Sequence, residues 1–471
     1  DATNGALLVG LINSAQKYLT AESFNFRVNA SSTIMKVKQI WTIEFLKDNS
    51  CLVHIRSSLR RYLASDNNGK VTCDQEAPSA YSNFVMITQA DGKVSFQSDE
   101  TKRYLGGAED NITCFAQAVS ESEKWVLHLA IHPNINLFSP GKKRYLRYDA
   151  ASNVVRCDSE LPWGPDCVMT LIFDFKGTRS LSVPTLWNCN PHNGNLICCN
   201  GKLEPGPSSR SLYVLRVRSG LLCLSDGEGR VLSSREGYVR SLKSDSPSKD
   251  ELFSPDPSPG QVTIRSLLNA KYISIRSDLQ ANQTEAKESE IFQIIINNTT
   301  RKACFQAASK DYLAVGPKNL LVSLAVLTDN CWFSLVYNGP RVGIKTSDGK
   351  FVTTKSNGQL APVTLSPGPA QEFILQLTNR PLLILQSDYG FVGFGPGTSR
   401  LDGNRCTHEA SKLSCDEDGY YQFKLGESRV RMSSCPERDQ GRAPVRGQLC
   451  VYWGGQQEVV HSALCWLAIP G

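Results

Sequence analysis

A short segment of the form basic-aromatic-aliphatic recurs along the chain, and a recurrence at this spacing demands a repeat architecture rather than one irregular core. It stands as Lys17-Tyr18-Leu19, Arg61-Tyr62-Leu63, Arg103-Tyr104-Leu105 and Arg144-Tyr145-Leu146. It returns as Lys271-Tyr272-Ile273, Asp311-Tyr312-Leu313 and Lys350-Phe351-Val352, with a weaker copy at Arg230-Val231-Leu232. Successive aromatics lie 44, 42 and 41 residues apart in the first run and 40 and 39 in the second. A second marker, an aromatic inside an alternating run, keeps the same step at Trp41, Phe84, Trp125, Tyr213, Phe253, Phe292, Phe333, Phe373 and Tyr421.

Turn pairs such as Asn68-Gly69, Asp91-Gly92, Asp348-Gly349 and Asn357-Gly358 separate short runs rich in Val, Ile, Thr and aromatics. Such runs read as β-hairpins. Helical periodicity is nearly absent, apart from one capped turn expected at Ser120-Glu121-Ser122-Glu123. A forty-residue, four-strand unit fits either a propeller blade or one third of a β-trefoil. The Gly-His and Trp-Asp pairs of a blade do not occur, so the expected fold is all-β, in tandem β-trefoils that bury both markers. Grouping the units in threes predicts trefoils over residues 5–133, 134–260 and 261–380. The boundary near 260 falls in Ser254-Pro255-Asp256-Pro257-Ser258-Pro259-Gly260, a composition that reads as a linker. The unit over Trp187–Gly206, with Cys198-Cys199 and several turn formers, is expected to be distorted.

At 471 residues the chain exceeds what one core supports, and 41% apolar with 20% charged residues excludes disordered and collagen-like classes. Sixteen cysteines without a Cys-x-x-Cys pair are expected to be reduced, with Cys73, Cys114 and Cys157 as small buried hydrophobes. A net charge of +6 is too small for a dedicated nucleic-acid binder. No apolar run predicts membrane insertion, and the N-terminal residues lack a basic, cleavable leader, so an unexported, cytoplasmic protein is expected.

The motifs Gly10-Leu11-Ile12-Asn13, Lys17-Tyr18-Leu19-Thr20-Ala21-Glu22, Val28-Asn29-Ala30-Ser31, Lys38-Gln39-Ile40-Trp41 and Gly106-Gly107-Ala108-Glu109-Asp110 resemble the fascin family. So do Lys249-Asp250-Glu251-Leu252-Phe253, Asn357-Gly358-Gln359-Leu360-Ala361 and Asn379-Arg380-Pro381. These are actin-bundling proteins of four tandem β-trefoils. The resemblance implies a filamentous-actin partner, no catalytic residue, metal or cofactor, and a monomer in the cytoskeleton of actin-rich cell projections. It also implies filament-contact residues: Lys17, Glu22, Lys36 and Lys38 in the first trefoil, and His132, Lys142, Lys143, Arg144 and Lys355 in the second and third. The family's regulatory serine aligns with Ile34, which leaves Ser32 and Thr33 beside it as phosphorylation candidates.

Two departures set further expectations. After Leu425 neither marker recurs, so residues 381–471 are expected to form a partial or atypical fourth trefoil with a divergent tail from about residue 426. Gly390-Phe391-Val392-Gly393 is followed by Phe394, Gly395 and Pro396 instead of a basic pair, which predicts impaired bundling. Two other classes compete. An enzyme is disfavoured because His54, His128, His132, His192, His408 and His461 show no metal-ligand spacing and no nucleophile or phosphate-loop motif occurs. A carbohydrate-binding trefoil would repeat Gln-x-Trp in each unit, and Gln39-Ile40-Trp41 fits that pattern once.

Overall fold

The computed structural model describes residues 3–46, 51–174, 185–189, 195–206, 208–244, 246–275, 279–297, 299–338, 340–380, 382–384, 386–387, 390–394, 401–405, 408–415, 421–425, 428–431 and 449–450. Among them the secondary structure is β-strand with short 3-10 turns and no α-helix.

The alternating run at the start of the chain becomes strand Thr3–Ile12, which pairs on one edge with Trp41–Leu46 and on the other with Val126–Leu129. Trp41–Leu46 continues to Leu52–Ser57, then to Phe84–Thr88 and Val94–Ser98. A bridge from Val94 to Trp125 closes the ring. Three hairpins, beginning at Tyr18, Tyr62 and Tyr104, complete the sheet and are tied together by the Ala30 to Glu109 and Lys70 to Thr113 bridges. Six barrel strands with three hairpins are a β-trefoil.

The same ring recurs twice. In the second, Asn134–Ser139, Met169–Asp174, Thr185–Cys189, Tyr213–Arg218, Leu221–Asp226 and Ser254–Pro257 close through the Leu222 to Phe253 bridge. In the third, Gln261–Ser266, Ile291–Asn297, Lys302–Ala307, Ser334–Asn338, Arg341–Lys345 and Glu372–Leu377 close through Ala303 and Phe333. The chain divides into two compact units, Asp1–Glu160 with Met169–Pro257, and Leu161–Val168 with Ser258–Gly471. In the first unit the main hydrophobic cluster runs from Leu7 to Phe253; the main cluster of the third barrel runs from Val262 to Phe373.

The second marker supplies the plugs of these cores. Trp41, Phe84, Trp125, Tyr213, Phe253, Phe292, Phe333 and Phe373 are all less than 2% exposed. Each contributes roughly 2–3 kcal/mol by leaving water. The side chain of Tyr421 lies outside the described residues. The first marker behaves differently from expectation: its aliphatic member is buried at Leu19, Leu63, Leu105, Leu146, Ile273, Leu313 and Val352, whereas most of its tyrosines are half-buried. Side chains alternate along a strand, so only one of two neighbours can face the barrel. The half-buried tyrosines go to the rim, where Tyr62 finds Glu44 (3.3 Å) and Tyr145 finds Asp256 (3.1 Å); Tyr18 is buried, with its hydroxyl at His128 Nδ1 (2.9 Å).

The proline-rich segment is also not all linker. Ser254–Pro257 is a barrel strand, with Pro255 opposite Leu137 and Pro257 opposite Ile135. Its prolines are tolerated because a full ladder runs along one edge only. Glu121–Glu123 is a 3-10 turn, as expected, with Ser120 and Glu123 forming its capping box. Equivalent turns recur before the core aromatics, which the sequence reading did not anticipate. In the unit over 187–206 the hairpin shrinks to the two-residue strands Leu196–Ile197 and Leu203–Glu204. Beyond Arg380 the described strands form two four-stranded sheets and no closed six-stranded ring.

Candidate functional site

The residues singled out in the first trefoil belong to one repeat, and short-range hydrogen bonds fix their backbone. Asn13 Oδ1 accepts the N–H groups of Ala15 (3.1 Å) and Lys17 (2.9 Å), while its amide donates to Gly107 O (3.2 Å). Gln16 adopts a left-handed φ of 59° inside this turn, so Lys17 leaves it on a stiff support. A small polar residue four or five positions before the basic marker recurs at Ser57, Ser98, Ser139, Asp226, Ser266 and Thr346. Its N–H closes the turn onto the marker at Ser57 and Arg61 (2.8 Å) and again at Thr346 and Lys350 (2.9 Å). That periodic signal was present in the sequence and was missed.

Lys36 caps the 3-10 turn Val37–Gln39, Lys38 lies within it, and both are exposed. Buried Gln39 holds this turn: its Oε1 accepts from Lys36 N (2.9 Å) and its Nε2 donates to Thr20 Oγ1 (3.0 Å). Lys38 Nζ reaches Glu22 at 2.7 Å. The hydrogen bond from Lys38 holds the Glu22 carboxyl below its ordinary pKa, against a smaller opposing effect of burial. With both partners partly in solvent the pair is worth about 0–1 kcal/mol. Lys17, Lys36, Lys142, Lys143 and Lys355 have no ion-pair partner among the described residues. Thr33 is exposed, whereas Ser32 is half-buried with its Oγ donating to Ile34 O (2.8 Å).

The other candidates lie elsewhere. Half-buried His132 accepts the Asn134 N–H at Nδ1 (3.1 Å), just before the second barrel begins. Lys143 is exposed with a φ of 54°, Lys142 is half-buried, and Arg144 pairs with Glu160 (2.9 Å). Lys355, in the second unit, is exposed at the start of a turn closed by Gly358 N to Lys355 O (2.9 Å). Positions 395 and 396, and most of the tail from 426, lie outside the described residues.

The single Gln-x-Trp match is absorbed by the core. Trp41 is fully buried and its Nε1 donates to Leu19 O (2.9 Å); Trp125 repeats the bond to Leu105 O (3.1 Å). The indole thus ties one sequence marker to the other, and no part of Trp41 is available to stack on a sugar. Cys73, Cys114 and Cys157 point their thiols at the carbonyls of Arg61, Arg103 and Arg144. Burial pushes Cys73 up to about 11, which keeps it protonated and inert. Eleven of the cysteines, Cys73, Cys114 and Cys157 among them, are free thiols, and no cluster of potential metal ligands occurs among the described residues. No described helix is long and apolar enough to cross a membrane.

Comparison with known proteins identifies the family. The Fascin domain model matches residues 15–127 and 269–375. Fascin-2 of Mus musculus is 36% identical over 421 residues, covering 88% of this chain and 83% of that protein. Fascin of Strongylocentrotus purpuratus is 28% identical, covering 87% and 84%, and Fascin-3 of Mus musculus is 24% identical, covering 89% and 83%. With trefoil rings built on the same repeat, and with identity to Fascin-2 sustained over most of both chains, this protein belongs to the fascin family.

Proposed function

We propose that this chain binds actin filaments and cross-links them, as a cytoplasmic monomer of actin-rich cell projections. Fascin-family proteins are structural actin-bundling proteins rather than enzymes, and the sustained identity to Fascin-2 is the observation that carries the reading. Bundling needs no bond chemistry; it needs cationic faces on a rigid body, since filament surfaces are acidic. Lys17, Glu22, Lys36 and Lys38, held by the Asn13 and Gln39 turns, form the candidate face of the first trefoil. His132, Lys142, Lys143, Arg144 and Lys355 are the candidates for further contact. The barrels around them supply the rigidity. Weakened bundling remains part of the proposal, resting on the sequence departures after Gly393 and Leu425.

Exposed Thr33 is the better placed phosphate acceptor, and Ser32 the less accessible one. A phosphate of about −2 charge there offsets Lys36 and Lys38. Sedimentation with filaments tests the whole reading. Pelleting at high speed that weakens with added salt is expected, with reduced pelleting at low speed and weaker binding by Thr33→Glu. Failure to pellet at high speed rejects filament binding; unchanged affinity of the Thr33→Glu variant rejects that residue as a switch.

A further inference from the structure

Where the second repeat of the second barrel meets the third, an arrangement lies outside the candidate filament-contact residues. Strand Tyr213–Arg218 alternates buried and exposed positions, which puts Arg216 and Arg218 on its outward face. Neither arginine has a carboxylate partner among the described residues. Arg218 Nη1 instead reaches across to the segment after Arg240–Leu242, donating to Pro247 O (3.1 Å) and to Ser246 Oγ (3.5 Å). Residues 243, 244 and 246–248 there belong to no strand or helix, and Ser246 is exposed.

Ser246-Pro247-Ser248-Lys249 has the form Ser-Pro-x-Lys, which proline-directed serine/threonine kinases select through the proline ring and the charge three residues on. The chain has five Ser-Pro pairs, at Ser139, Ser246, Ser254, Ser258 and Ser366, and only Ser139 and Ser246 have a lysine at that distance. Ser139 is fully buried and bonded to Ser234 Oγ (2.9 Å), so no kinase can reach it in the folded protein. Ser246 combines the motif with exposure, an irregular backbone and a guanidinium already at its hydroxyl.

We propose that Ser246 is a phosphorylation site and that Arg218 is the receptor for its phosphate. A kinase transfers the γ-phosphoryl group of ATP: the bond from phosphorus to the β–γ bridging oxygen breaks, a bond to Ser246 Oγ forms, ADP leaves and the hydroxyl proton passes to the kinase's base. The dianion then pairs with Arg218, in a charge-assisted hydrogen bond shorter than the present contact, with Arg216 adding charge from the same face. This pins Ser246 and Pro247 to the strand and offsets the charge of Arg218.

Full-length protein treated with a purified cyclin-dependent kinase and magnesium-ATP tests the site by mapping phosphopeptides. Phosphate on Ser246, absent from S246A, and none on Ser139 are expected. A phosphorus-NMR titration tests the receptor: the second phosphate pKa, ordinarily about 6, should lie about half a unit or more lower in the wild type than in R218A, with R218K between them. No phosphate on Ser246, or equal titrations in wild type and R218A, overturns the proposal.

Discussion

The first barrel and the region beyond Arg380 begin alike and end differently. In the first, strand Thr3–Ile12 pairs with Trp41–Leu46, and its other edge is taken by Val126–Leu129, more than a hundred residues along the chain. In the last region, Leu382–Ile384 pairs with Ala410–Cys415, which passes on to Tyr421–Leu425, but the described strands stop at two separate four-stranded sheets. Local hairpins form in both, and in the first barrel the ring closes through its third repeat, by Val126–Leu129 and the Val94 to Trp125 bridge. Closure converts three weak amphipathic units into one core by giving every barrel strand two neighbours, and it removes the exposed edges that invite aggregation.

The strongest way to break this comparison is to remove a plug from the closed ring. Trp41→Ala should destabilise the first unit by about 3–5 kcal/mol in urea unfolding, since a large cavity opens between three repeats. Leu383→Ala, on the strand Leu382–Ile384 beyond the three barrels, should leave that transition where it is. If both variants shift it equally, the closed ring is not the unit of stability.

A smaller effect sharpens the same point. Trp125→Phe keeps most of the plug but leaves Leu105 O without its indole donor, which should cost about 1–3 kcal/mol. Phe84 plugs the middle repeat without such a bond, so Phe84→Leu tests volume alone; a cost for Trp125→Phe no larger than for Phe84→Leu would remove the indole bond from the account.

The repeat, the all-β class and the buried aromatic plugs were legible in the sequence because a forty-residue period imposes the same burial on Trp41, Phe84 and Trp125. Which partner of Tyr-Leu faces the core was not, because alternation fixes that they differ but not the phase. The role of Ser254–Pro257 was hidden because prolines spell linker, and only pairing to Asn134–Ser139 makes them a strand. Of the candidate site, exposure and the Lys38 to Glu22 pair follow local turns, but Gln39 looked like half of a sugar-binding motif until its amide was seen closing the turn beneath Lys36 and Lys38. The exposed arginine beside Ser246 joins a strand to a segment outside any strand, which no local pattern announces.

The smallest expected effect concerns that pair. Lys38 holds the Glu22 carboxyl below its ordinary pKa in the folded state, so its stabilisation is complete above the ordinary carboxylate range and is lost as pH falls through the depressed folded value. Glu22→Gln should therefore lower stability by less than about 1 kcal/mol near neutral pH and by nothing at strongly acidic pH. An equal loss at both pH values would assign the effect to packing instead of charge.

The central claim is that a cationic face built on the first repeat of a closed trefoil engages filaments. Its most direct test is high-speed sedimentation of the Lys36→Glu/Lys38→Glu variant with actin filaments, at low and moderate salt, beside the wild type and after confirming that both share one unfolding transition. The account predicts at least about a tenfold loss of affinity at low salt and a flatter salt dependence for the variant; equal affinities and equal salt dependence in the two proteins would contradict it.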